Sequence, residues 1–258
     1  MMLFRFAGEL TGFVRVGPKG YLFPQKYKQE AMKCTTWTQE LVWLVNSHDE
    51  TKLKQLGWVC QAGTDQVADM PSPRFVKSHL PLSLLPPILL DTAKMVYVAR
   101  DPRDVVVSFY HQNRLLRTQG YVGDFKTYWD FFRRDLIHWT PFFEHLKEAW
   151  EKRDHPNMLF LFYEELFNVS RNKQYTEEQI SRLCDHLNIN NFKNNKSVNY
   201  DVMKTLGILI PGEQAFIRKG KAGGWHDYFD EEMTLQAERW MEDNLRDTDL
   251  RFPHLDKQ

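Results

Sequence analysis

Two compact apolar runs constrain this chain more than any other feature: Met95-Val96-Tyr97-Val98-Ala99 and Met158-Leu159-Phe160-Leu161-Phe162-Tyr163. Each is rich in strand formers and reads as a buried strand of a parallel sheet. Each stops abruptly in charge, at Arg100-Asp101-Pro102-Arg103-Asp104 and at Glu164-Glu165. A helix is expected over Val105 to about Leu116, with Asp104 as its N-cap after the strand-breaking proline. Tyr128 to Trp139 and Phe143 to Trp150 read as helical between the two strands. Strands alternating with helices imply an α/β fold with a parallel sheet.

The flanking regions add detail. Residues 1–30 read as an irregular N-terminal arm, with Gly17-Pro18 and Gly20 as turn signals. Thr35 and Thr36 precede an apolar, helix-compatible run from Trp37 to Val45, an N-cap signature. Arg74 to Lys77 reads as a short strand ending at Ser78-His79-Leu80-Pro81. Thr176 is expected to cap a helix over Glu177 to Leu187, and 188–200 reads as an Asn-rich loop. Phe216 to Trp225 is a basic, glycine-rich loop, and a last helix covers about Glu231 to Asn244. Repeats, low-complexity tracts and linkers are absent from the 258 residues, so 1–258 is expected to form one domain.

Charge narrows the function. Lys and Arg total 34 and Asp and Glu total 34, a formal net charge of +0. That balance excludes a globally basic nucleic-acid binder, so any bound anion needs a local site. No run approaches the ~18 apolar residues of a membrane span. Met1 to Leu10, interrupted by Arg5 and Glu9, has no apolar core of a secretory signal. Cys34, Cys60 and Cys184 are odd in number and form no CxxC pair, which argues against a zinc site or disulfide framework. Free thiols in an unsecreted chain fit a cytoplasmic location. The aromatic content of 14% exceeds core needs and suits a pocket for a flat, apolar ligand.

Ligands of open α/β sheets bind where strands end and helices begin. Lys33, Thr35 and Thr36 stand at the mouth of one helix, where free N–H groups and the macrodipole attract anions. Arg100 closes a strand, and Ser108 lies in the helix that follows. Arg218-Lys219-Gly220 opens a loop whose glycines let backbone approach a phosphate. Three such elements suggest a ligand with more than one phosphate-like group. Taken alone, each also fits solvated surface charge. G-x-x-x-x-G-K-[ST] and G-x-G-x-x-G are both missing, which counts against an ordinary kinase, GTPase or dehydrogenase. Lys77 and His79 alternate by two and so share a face at a strand end. A histidine there can serve as general base toward a hydroxyl while the lysine holds the transferred group. A lone histidine in a strand is more often a structural residue.

Together these segments resemble the cytosolic sulfotransferases. The resemblance rests on Thr35-Thr36-Trp37-Thr38-Gln39-Glu40-Leu41-Val42-Trp43, Arg74-Phe75-Val76-Lys77-Ser78-His79-Leu80-Pro81, Val98-Ala99-Arg100-Asp101-Pro102-Arg103-Asp104 with Ser108-Phe109-Tyr110-His111, and Arg218-Lys219-Gly220 through Gly224-Trp225. The flanking text is most similar to the arthropod branch. The resemblance implies a single-domain, P-loop-like parallel sheet flanked by helices, and the donor 3'-phosphoadenosine-5'-phosphosulfate, with no metal. It implies that Lys33 contacts the sulfuryl-bearing phosphate, and that Thr35 and Thr36 bind the 5'-phosphate. Trp37 would stack on adenine and Tyr163 would contact its edge. Arg100, Ser108, Arg218, Lys219 and Gly220 would hold the 3'-phosphate. His79 would deprotonate the hydroxyl of a small apolar acceptor, a phenol or an alcohol, with Lys77 assisting sulfuryl transfer.

The chain departs from the family pattern in one informative place. The family's phosphate loop reads Tyr-Pro-Lys/Arg-Ser-Gly-Thr-Thr-Trp after a buried first strand. Here, in Glu30-Ala31-Met32-Lys33-Cys34-Thr35-Thr36-Trp37, Cys34 alone stands between the lysine and the threonine pair where the family has Ser-Gly, so one position is absent there and the loop glycine is lost. The preceding Tyr21 to Gln29 is no apolar strand, so the first strand is expected to be missing or degenerate. Two functions stay open on this basis: a sulfotransferase, or a nucleotide-binding relative impaired in transfer. The family's dimer segment is not matched after Trp225, where His226-Asp227-Tyr228-Phe229-Asp230 follows.

Overall fold

The computed structural model describes residues 13–24, 78–165, 188–195, 201–213 and 222–253, with single positions 181, 185, 215 and 217. The expectations for 25–77, including the strand over Arg74 to Lys77, the helix after Thr36 and the phosphate loop, lie outside the described residues. So do Arg218, Lys219 and Gly220.

The two apolar runs form β3 (Met95–Ala99) and β4 (Met158–Phe162). They pair in parallel, from Met95 opposite Met158 to Ala99 opposite Phe162. A short helix, α1 (Leu89–Thr92), precedes β3, and between the two strands lie α2 (Pro102–Leu115), α3 (Phe125–Arg133) and α4 (Phe142–Trp150). Parallel neighbours need such a crossover, because no tight turn can join them. One face of the pair is packed: Tyr97 and Phe160 stack at 5.1 Å, and Trp150 meets Phe160 edge-on. Alternation places Val96 and Leu159 on the other face, where they remain 37% and 53% exposed. The expected burial is therefore reached on the packed side alone and only by Ala99 and Met158, with Tyr97, Phe160 and Phe162 half-buried.

Helix boundaries shift in instructive ways. Helix α2 begins at Pro102, and its N-cap is Asp101, whose side chain accepts the Arg103 N–H at 2.8 Å. Proline is favoured in the first turn because its missing N–H would be unsatisfied there anyway. Asp104, expected as the cap, is therefore inside the helix and free for another task. Helix α3 is capped by Asp124 and stops at Arg133, short of the expected Trp139. Beyond it Asp135 and Trp139 adopt positive φ, which an α-helix cannot accommodate. The Asn-rich stretch read as a loop contains α5 (Ile189–Asn194), and α6 (Asp201–Thr205) follows. Helix α7 (Glu231–Leu245) matches its expected span and is capped by Asp230 through the Met233 N–H. A short 3-10 turn, Gly224–Asp227, precedes it.

The arm read as irregular holds a hairpin, β1 (Phe13–Val16) with β2 (Tyr21–Pro24), turning through Gly17 and Gly20 at positive φ. It docks on α4: Tyr21 is fully buried, and its hydroxyl donates to Glu148 at 2.6 Å.

One core cluster joins α2, α3 and α7 through Val106, Tyr128, Trp129, Phe132, Phe229 and Met233. A second joins the strands to α4 and α7 through Ala99, Phe143, Leu146, Leu245 and Leu250. Trp240 packs against both. Each fully buried side chain of this size stabilises by about 1.5–3 kcal/mol.

His138 sits in this core fully buried, stacked at 5.4 Å on Phe109, and neither ring nitrogen has a hydrogen-bond partner. Burial pushes its pKa down from 6.5 to about 3. Between those values the unfolded chain takes up a proton that the folded chain refuses. Stability is therefore present above 6.5 and falls with pH below it, by about 1.4 kcal/mol per pH unit. His138→Phe is expected to reduce that slope, measured by urea unfolding at about pH 7 and about pH 5. An unchanged slope in the variant would show that His138 is not held neutral.

Candidate active site

The in-register parallel strands end side by side, which sets Arg100 and Tyr163 next to each other just past Ala99 and Phe162. The Arg100 guanidinium carbon lies 4.2 Å from the centre of the Tyr163 ring. Such cation–π contacts contribute about 0.5–2 kcal/mol and fix the plane of the guanidinium. Arg100 Nη1 donates to Ser108 Oγ at 3.2 Å, and Nη2 lies 3.5 Å from Asp104 Oδ2. Asp104 and Ser108, four residues apart, share one face of α2, and Arg100, two residues ahead of the helix, reaches both. Burial raises the Tyr163 pKa, with Arg100 opposing, so the phenol stays protonated and can donate. Of the residues singled out from the sequence, Arg100 thus contacts both Ser108 and Tyr163.

Asp104 supplies a link that the sequence did not announce. It is 2% exposed, and its two oxygens take different backbone donors. Oδ2 accepts the Gly223 N–H at 2.7 Å and Oδ1 accepts the Trp225 N–H at 3.0 Å. Gly223 has φ +78, a left-handed conformation that glycine adopts without strain. Gly223 and Trp225, which follow the basic stretch in sequence, are therefore anchored to α2. Arg103 lies over the Trp225 ring at 4.1 Å while pairing with Asp101. Glu164, also buried, accepts the Asp101 N–H at 2.9 Å. Burial raises its pKa, with the backbone hydrogen bond opposing. The sequence signal for the true cap was the Asp101-Pro102 pair, and recognising it would have released Asp104 for this role.

His79 occupies a second cluster, in the segment that leads into the 3-10 turn Leu82–Leu84. Its ring lies 4.9 Å from the Trp139 ring, and its carbonyl oxygen is 3.1 Å from His145 Nε2. Ser78 Oγ accepts the Leu80 N–H across it at 3.0 Å, a local turn contact. Trp139 and His145 were not singled out from the sequence, because neither belongs to a local pattern. Lys33, Thr35, Thr36, Trp37, Lys77, Arg218, Lys219 and Gly220 lie outside the described residues, so the structure assigns them no position. Among the described residues no group of three or more His, Cys, Asp or Glu side chains could hold a metal ion. No helix among them is long and apolar enough to cross a membrane.

Chemically, the first cluster offers fixed donors and positive charge at strand ends, an arrangement suited to a phosphate. The second offers an imidazole beside an aromatic wall. Comparison with known proteins gives this pairing a context. Residues 33–249 match the sulfotransferase domain family. Luciferin sulfotransferase of Photinus pyralis is 31% identical over 255 residues, covering 82% of this chain and 68% of that protein. Sulfotransferase 1B1 of Mus musculus is 30% identical over 243 residues, covering 84% and 81%. The crystal structure of retinol dehydratase in complex with retinol and PAP superposes with a TM-score of 0.82 at 42% identity, over 95% of this chain and 93% of that one. Mouse sulfotransferase SULT7A1 complexed with PAP, at 20% identity and a TM-score of 0.65, shares the fold. The match over most of its length establishes that this chain belongs to the sulfotransferase family.

Proposed function

We propose that the chain moves a sulfuryl group from 3'-phosphoadenosine-5'-phosphosulfate to a hydroxyl of a small, apolar acceptor, acting through one domain over 1–258. The observation that carries this reading is the contact of Arg100 with both Ser108 and Tyr163 at adjoining strand ends. Arg100 and Ser108, with Arg218, Lys219 and Gly220, would hold the 3'-phosphate. Trp37 and Tyr163 would hold the adenine, and Thr35 and Thr36 the 5'-phosphate. The acceptor oxygen attacks sulfur, the bond from sulfur to the 5'-phosphate oxygen breaks, and adenosine 3',5'-bisphosphate (PAP) leaves. His79 takes the hydroxyl proton, while Lys77 and Lys33 neutralise charge on the group in flight. In-line transfer of this kind depends on positioning and charge stabilisation more than on covalent chemistry. Support for an apolar alcohol as acceptor comes from Trp139 beside His79, and from retinol and androsterone in the related retinol dehydratase complexes.

A second reading, a nucleotide-binding protein impaired in transfer, rests on the stretch from Lys33 to Trp37, one residue short and without its glycine. Incubation with sulfur-labelled donor and a panel of phenols and apolar primary and secondary alcohols separates the two. Transfer to one of these acceptors is expected. Binding of PAP without transfer to any of them would favour the second reading, and failure to bind PAP would remove both.

A further inference from the structure

The candidate base is carried on a short irregular segment, yet that segment is fixed at both ends by one helix. His145 and Glu148 stand three residues apart on α4 and so share a face. His145 Nε2 meets the His79 carbonyl oxygen at 3.1 Å. Glu148 Oε2 accepts the Ser83 N–H at 2.9 Å, and Oε1 accepts the Ser83 hydroxyl at 2.9 Å. The other side of the His145 ring faces β3, where its Nδ1 lies 2.9 Å from the Tyr97 hydroxyl.

These contacts determine the protonation of His145. A carbonyl oxygen can only accept, so Nε2 must carry the proton. Burial lowers the pKa of His145, which keeps the ring neutral, so Nδ1 holds a lone pair and accepts from Tyr97. The three groups therefore form a directed relay: Tyr97 O–H to His145 Nδ1, then His145 Nε2–H to the His79 carbonyl. Its geometry connects a strand of the sheet to the backbone of the base, bypassing the imidazole that would take the proton.

We infer that His145 is a positioning residue for the transfer reaction, holding the His79 backbone from α4 while Glu148 holds Ser83, so that the helix sets where the base stands. The inference rests on the sulfuryl-transfer reading and adds to it a residue that touches neither donor nor acceptor. A fixed segment matters because a displacement of about 1 Å at the reacting groups can cost on the order of 100-fold in rate.

The test compares His145→Leu, which removes the donor, with His145→Gln, whose side-chain amide can donate from a similar reach. His145→Leu is expected to lower kcat by about 10–100-fold with KM for donor and affinity for PAP unchanged. His145→Gln is expected to recover most of that loss. A wild-type kcat in His145→Leu, equal losses in both variants, or a parallel fall in PAP affinity would each overturn the inference. Nitrogen-15 spectra of the wild-type histidines give a readout independent of activity. His145 is expected as the neutral Nε2–H tautomer, and the Nδ1–H tautomer would overturn the clamp. Absence of transfer by the wild-type protein would instead sink the sulfuryl-transfer reading, leaving the clamp to be decided by those spectra.

Discussion

His79→Ala is expected to reduce sulfuryl transfer by about 10²–10⁴-fold, the usual contribution of a positioned general base, while PAP binds as in the wild type. The separation follows from where the two tasks sit. His79 lies before the 3-10 turn against Trp139, whereas Arg100 closes β3 against Tyr163 and Ser108. An acceptor hydroxyl is a poor nucleophile until its proton can leave, and the unperturbed pKa of imidazole lies near operating pH. Truncation to alanine also leaves the His79 carbonyl in place for His145, because that contact is made by backbone. Single-turnover transfer of labelled sulfur, with PAP binding by calorimetry, reads both quantities in one preparation. Transfer at the wild-type rate in His79→Ala would remove the base assignment. An equal fall in PAP affinity would mean that His79 belongs to the donor site.

The strands were legible because their signal is local and dense. Met95 to Ala99 and Met158 to Phe162 are uninterrupted apolar runs closed by charge, and they pair as expected. Arg100 and Ser108 were legible for the same reason, since a strand end followed by a helix fixes their place before any tertiary contact is known. The hairpin over 13–24 was not legible. Its strands are four residues each, and much of its stabilisation is distant: Tyr21 donates to Glu148, and Lys19 pairs with Glu144. His145 was hidden similarly. Its partners are 48 and 66 residues away, and within α4 it is one more position between buried Phe143 and Leu146. Asp104 was misread through a competing local rule. An aspartate ahead of an apolar helix is a good cap, but a proline two positions earlier makes its own predecessor the better one.

That misread aspartate carries the largest expected effect on stability. Asp104→Ala is expected to destabilise the fold by about 2–4 kcal/mol, because the buried Trp225 N–H and the half-buried Gly223 N–H lose a charged acceptor and Arg100 loses an ion-pair partner. The Gly223 and Trp225 N–H groups donate to different oxygens of Asp104, at 2.7 and 3.0 Å. Asparagine has one carbonyl oxygen, so Asp104→Asn would set its NH₂ against one of those N–H groups. The asparagine variant is therefore expected to fall close to alanine and far from wild type. Ser108→Ala makes the contrast: it removes only the 3.2 Å contact to Arg100 and is expected to cost about 1 kcal/mol. The same anchor bears on the proposed donor site, since Gly223 to Trp225 follow Arg218, Lys219 and Gly220 closely in sequence. PAP affinity is thus expected to fall in both Asp104 variants by more than in Ser108→Ala. Urea unfolding and calorimetric titration with PAP check the two effects separately. Wild-type stability in Asp104→Ala would show that solvent replaces the carboxylate. Lost stability with intact PAP affinity would show that the anchor serves the fold and not the donor site.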